Sequence, residues 1–188
     1  MALTPYDRLT VVLYRTGLAV AAAAELGLVA LAAAGRAGGP LATGLMLAAC
    51  GGIALGILFV HLYLRRFRQI LRGLLAAAAA GLAAVAALSG DPLAGYLASP
   101  WGALAGGLWV ACHAALCLKE AYCFRLLSGV AAAVVAPAVV LAQVGGTGEP
   151  RVRLAGALLF AALAAWVAVR KLLQPMGYDI GDKSAYEP

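Results

Sequence analysis

Six long apolar runs, separated by breaks of a few polar residues, decide what this chain can become. They cover about residues Leu9–Ala34, Leu41–Leu64, Gln69–Leu88, Trp101–Lys119, Leu126–Val144 and Val152–Leu173. Each is close to the ~20 residues that a helix needs to cross the hydrocarbon of a bilayer. Backbone polar groups at that depth must be satisfied within the segment, so runs of this length read as helices. The pattern predicts an all-α, polytopic transmembrane bundle of six helices over residues 1–173, with 174–188 as a polar cytoplasmic tail.

Composition supports the same class. Of 188 residues, 64% are hydrophobic and 12% charged, whereas a soluble domain carries roughly 25% charged residues. The deficit is spread along the whole chain, which leaves no room for a separate soluble domain. A net charge of +6 could point to nucleic acid in a soluble protein. Here Lys and Arg sit in short clusters between apolar runs, as the positive-inside bias and anionic headgroups require. Nucleic acid is therefore not an expected partner; the lipid bilayer is.

An even number of spans puts both termini on one side. Arg8, Arg65, Arg66, Arg68, Arg72, Lys119, Arg125, Arg170, Lys171 and Lys183 mark that side, against Arg36, Arg151 and Arg153 on the other. This asymmetry predicts cytoplasmic termini in a multi-pass protein of the cell inner membrane.

Small residues suggest how the helices meet. Gly44, Ala48, Gly52 and Gly56 recur every fourth position of the second run, giving a nearly bare face for close packing against another helix, a partner protein or a second copy. Gly102 and Gly106 repeat the motif in the fourth run. Pro137 lies inside the fifth run, where it removes a backbone hydrogen bond and is expected to kink the helix. Gly90-Asp91-Pro92 reads as a turn. Leu93–Pro100 reads as an interfacial stretch or an early start to the next helix, with Trp101 at the membrane boundary.

Polar residues at depth are the candidates for function, because burying them in lipid is costly. Leu108–Phe124 alone combines His, Cys, Lys and Glu within an apolar run. At helical spacing His113, Cys117, Glu120 and Phe124 share one stripe. His113, Cys117 and Glu120, with His61 at the inner end of the second run, are candidate metal ligands. Bis-histidine haem ligation by His61 and His113 requires equal depth, and the runs place the two about 12 Å apart. Hydrogen bonding within the bundle is the simpler role for His113. There is no CxxC, and nothing resembles a hydrolytic triad or a phosphate loop, so no catalytic residue is assigned.

Glu25 lies near the centre of the first run, too far along the helix from Tyr14 or Arg15 to bond either. It needs a partner from another helix, a neutralising proton, or water. Arg15 and Glu120 have similar depths near the inner ends of their runs, and an ion pair between them is expected to tie the first helix to the fourth.

At Lys119-Glu120-Ala121-Tyr122-Cys123-Phe124, and at His61-Leu62-Tyr63 followed by its basic connection, the chain resembles a family of uncharacterised bacterial integral membrane proteins, a domain of unknown function. The resemblance extends from the first run to the sixth. It implies a small polytopic membrane protein and supplies no activity, cofactor or site residue. Three functional classes follow from the residues. Short loops and small-residue faces fit a non-catalytic subunit or assembly factor of a membrane complex. Glu25 and Pro137 fit a proton-coupled small-solute transporter. The His113/Cys117/Glu120 face fits a metal- or haem-binding redox protein.

Overall fold

The computed structural model describes residues 4–146 and 149–180; Lys183 and the rest of the expected tail from 181 onward lie outside the described residues. Among the described residues eight helices follow in order: α1 Pro5–Ala33, α2 Pro40–Leu58, α3 Arg65–Ser89, α4 Pro92–Ala98, α5 Pro100–Phe124, α6 Leu127–Val144, α7 Pro150–Leu172 and α8 Gly177–Ile180. There is no strand among the described residues. Six of the helices, all but α4 and α8, are long and apolar enough to cross a membrane.

Local chemistry sets most of the helix starts. Proline opens α1, α2, α4, α5 and α7, where its fixed φ suits the first turn and its missing N–H is not needed. Thr4 and Asp7 close a reciprocal capping box at the head of α1, and the Ser99 hydroxyl accepts from the Gly102 amide to start α5. Asp91 caps α4 through the amides of Leu93 and Ala94 and also accepts from the Thr43 hydroxyl at 2.9 Å. The Thr43 bond, joined by those amides, holds the Asp91 carboxyl below its ordinary range.

Several boundaries depart from those expected. The second helix stops at Leu58, so His61 lies in the connection to α3 and not on a helix. Residues 59–64 are non-helical, and two of their carbonyls take a side-chain donor in place of a helical one. Arg68 donates from Nη1 to Leu62 O at 2.6 Å and to Tyr63 O at 3.2 Å. Leu93–Pro100 yields a separate seven-residue helix, α4, before α5 begins. The helix of the fourth span continues past Lys119 to Phe124, as the stripe through Phe124 allows, and ends at Arg125 in a left-handed conformation (φ 54°). Residues 174–180, expected as part of a polar tail, include α8, which docks on the bundle with Asp179 and Ile180 buried.

Packing centres on two helices. α1 lies along α2 and α7, while α5 lies along α3, α4 and α6. Where α1 crosses α2 the backbones nearly touch. A Cβ on Gly17 would sit 2.6 Å from Gly52 O and Gly56 N, and one on Gly52 would sit 2.6 Å from Ala21 N. Half of the small-residue face on α2 is thus used for close packing against another helix of the chain. Gly44 and Ala48 remain exposed. The main core joins Tyr14, Leu18, Ile53, Ile57, Trp109, Cys112 and Leu116, and a second cluster joins Cys117, Ala132, Phe160, Ala164 and Val167 between α5, α6 and α7. α3 fully buries only Leu71 and Ala78; Leu74, Leu75, Leu82 and Val85 pack half-buried against the core, while Phe67, Ile70 and Leu88 are exposed.

Candidate functional site

Two groups of polar residues are buried among these helices, both spanning from α1 to α5. The stripe expected on the fourth span faces inward: His113, Cys117 and Glu120 are each fully buried. Its members do not act together.

His113, at the middle of α5, turns to α1. Its Nδ1 lies 2.8 Å from Glu25 Oε1, and the Phe160 ring meets the imidazole edge-on from α7, with centroids 5.8 Å apart. Glu25 therefore has the partner from another helix that its depth demanded. The pair is only half used. Glu25 Oε2 and His113 Nε2 are both buried without a hydrogen-bond partner, although buried polar atoms are normally satisfied. Nδ1 and Oε1 share one hydrogen bond, and each side chain keeps one further polar atom unused.

The second group sits at the end of the bundle where α1 begins. Glu120 accepts from the Tyr14 hydroxyl at 2.5 Å and from Lys119 Nζ at 2.7 Å through Oε1, and its Oε2 forms an ion pair with Lys171 Nζ at 2.9 Å. Lys171 also pairs with Asp179. Asp179 Oδ2 in turn accepts from Arg15 Nε at 2.9 Å and Nη2 at 2.5 Å. Arg15 further donates to the carbonyls of Gln174 at 2.6 Å and Pro175 at 3.2 Å. Lys171 Nζ lies 3.8 Å from the centre of the Phe124 ring, and Lys119 Nζ lies 4.8 Å from that of Tyr14; the aromatic faces add cation–π attraction. Because Arg15 near the start of α1 reaches Asp179, the start of α1 and the C-terminal segment lie at the same end of the bundle.

The expected Arg15–Glu120 ion pair does not form. Lys171, fully buried on α7, reaches Glu120 instead, and Arg15 takes Asp179. Lys171 and Asp179 were not among the candidate residues, and neither was the Tyr14 hydroxyl. The signal available for Asp179 was its place beside Tyr178 and Ile180, where one acid between large apolar residues suggests docking.

His61 is separate again. Its Nε2 lies 3.2 Å from Thr10 Oγ1. Burial, aided by the Lys119 charge, lowers the His61 pKa below 6.5. Thr10 and Glu25, the contacts of the two histidines, are about 22 Å apart along α1, so His61 and His113 do not converge on one haem. Among the described residues no three His, Cys, Asp or Glu side chains are grouped to hold a metal ion: His113 turns to Glu25, and Glu120 turns to the two lysines. The four cysteines are free, three of them buried and Cys123 exposed.

Apolar clefts open on the outer surface among the described residues. One, of about 340 Å³, lies between α5 and α6 against Gly107, Ala114, Pro137 and Val140. Another, of about 420 Å³, lies between α2 and α3 beside Pro92 and Trp109.

Residues 54–187 match a family described as "Uncharacterized integral membrane protein (DUF2301)". The chain belongs to this family. It is accordingly an integral membrane protein that crosses the bilayer several times. The part matched to DUF2301 begins within α2 and contains His61, His113, Cys117, Glu120, Lys171 and Asp179; Arg15 and Glu25 on α1 precede it. No curated protein and no solved structure matches the chain.

Proposed function

We propose that this DUF2301 protein handles protons inside the membrane, with Glu25 and His113 as its working pair, and couples proton uptake to the movement of a small solute. The observation that carries the reading is the pair's incompleteness: Oε2 of Glu25 and Nε2 of His113 are buried and unpartnered. Ionisable groups within spans mark proton relays and ion pathways by default. With Glu25 ionised and His113 neutral the pair carries one negative charge. One added proton makes it neutral overall, either as a carboxylate beside an imidazolium or as a carboxylic acid beside an imidazole. The buried, largely apolar surroundings tolerate those two forms differently, and that difference is what a coupled carrier exploits.

The proposed setting is the bacterial inner membrane, with both chain ends in the cytoplasm. Lys119 and Lys171 are buried, so the charges that orient the loops fall from ten to eight, still against three on the other side. The direction of the bias is unchanged.

Proteoliposomes holding a trapped pH dye test the proposal. An imposed pH gradient should drive proton flux through the wild type, and Glu25→Gln should abolish it in protein that melts normally. Equal flux through both, or none through either, removes the reading. A second reading, a non-catalytic subunit or assembly factor of a membrane complex, is favoured by the clefts, which have apolar linings and no converging polar groups for a solute. It expects a stoichiometric larger membrane partner when the protein is purified from native membranes in mild detergent.

A further inference from the structure

Arg15, Lys119 and Lys171 surround two anions, Glu120 and Asp179, and all five residues are buried. The two anions are held differently. Glu120 is built into α5, between helices that pack along most of their length. Asp179 is carried by a four-residue helix beyond the end of α7, on a segment that meets the bundle through α1. Its carboxylate is gripped by two nitrogens of one guanidinium and by one ammonium. That combination is how proteins recognise phosphate and carboxylate groups in general: a fork of donors plus a point charge. Phe124 and Tyr14 wall the cations, and exclusion of water strengthens their hold on any anion.

We propose that Arg15 and Lys171, with Lys119 behind them, form a binding site for an external phosphate or carboxylate group, and that Asp179 is its built-in occupant. An incoming anion restores the ion pairs that Asp179 gives up, so exchange leaves no buried cation bare. The segment 174–180 then swings away from the α1–α7 end of the bundle. Without Asp179, the described cluster holds three cations to one anion, a strong preference for a new negative group. Arg65, Arg66, Arg68 and Arg72 lie at the same end of the bundle and raise the local concentration of anions, whether lipid headgroups or free phosphate. The site is independent of the Glu25–His113 pair.

The full-length protein, spin-labelled at its exposed Cys123 and at Tyr178→Cys, reports the exchange as a distance. Tyr178 is 64% exposed, so the label does not disturb the docked face. Three settings are compared: nanodiscs of zwitterionic lipid, the same with phosphatidylglycerol, and zwitterionic nanodiscs with inorganic phosphate. The zwitterionic sample should give a single short distance. A longer one should appear with phosphatidylglycerol if a lipid headgroup is the ligand, and with inorganic phosphate if a free anion is. Asp179→Asn should lower the anion concentration needed at least tenfold, and Arg15→Gln in that background should remove the response. An unchanged distance in every setting for the wild type overturns the proposal, and so does a response that survives Arg15→Gln. The wild-type arms decide the matter even if Asp179→Asn does not fold.

Discussion

The two polar regions use the same residue types in opposite ways. At the end of the bundle, Tyr14, Arg15, Lys119, Glu120, Lys171 and Asp179 satisfy one another across α1, α5, α7 and α8. Near mid-bundle, Glu25 and His113 share one contact and leave an atom each unused. A saturated network resists the loss of a member that nothing replaces, because that strands charges in a low dielectric. A half-used pair loses little when altered, yet it keeps the atoms that chemistry would need. The contrast separates a cluster in which one anion can only give way to another from a pair that keeps polar atoms unused.

The largest effect should come from the saturated side. Glu120→Gln leaves Lys119 and Lys171 short of an anion and should cost about 3–5 kcal/mol of stability, read by thermal or denaturant unfolding in detergent. If the variant melts with the wild type, the network is not what holds α1, α5 and α7. Arg15→Gln should cost less, about 2–3 kcal/mol, because Asp179 keeps Lys171. It should also expose the segment after Leu173 to protease, and unchanged cleavage would break the link between Arg15 and the docked tail.

Glu25→Gln sharpens the comparison from the other side. It keeps an acceptor beside His113, so stability should change by less than about 1 kcal/mol while proton flux disappears. A loss as large as that of Glu120→Gln would make the pair a structural tie and erase the distinction. The smallest effect should come from His61. Its pKa is lower in the folded chain than the ordinary value near 6.5, so the folded state prefers the neutral ring. The associated stability is fully present above pH 6.5 and is lost as the pH falls below that value through the folded pKa, where the unfolded chain takes up the proton more readily. His61→Gln should flatten this acid limb of a melting-temperature profile, and an unaltered limb would assign it to another group.

Topology was legible because hydrocarbon thickness fixes the length of an apolar run, and because proline marks five helix starts. The end of α2 was not, since residues 59–64 are apolar enough to span. In the structure the Leu62 and Tyr63 carbonyls take the Arg68 side chain as donor in place of a helical one. Partner choice failed for a related reason. Sequence position gives depth along a helix but not which neighbour lies beside it. Arg15, Lys119 and Lys171 all matched Glu120 in depth, and the packing of α7 along α1 gave Glu120 to Lys171. The Glu25–His113 pair was within reach, since both sit near the middle of their spans. Asp179 escaped because a polar segment after the last span reads as a loose end.

Arg15 finds its carboxylate 164 positions further along the chain. During synthesis the first helix must therefore wait in the bilayer, its arginine and glutamate uncompensated, while α5, α7 and finally α8 are made. Assembly closes only once α8 has been made, and a nascent chain halted before residue 179 should remain more open to protease at α1 than one extended beyond it.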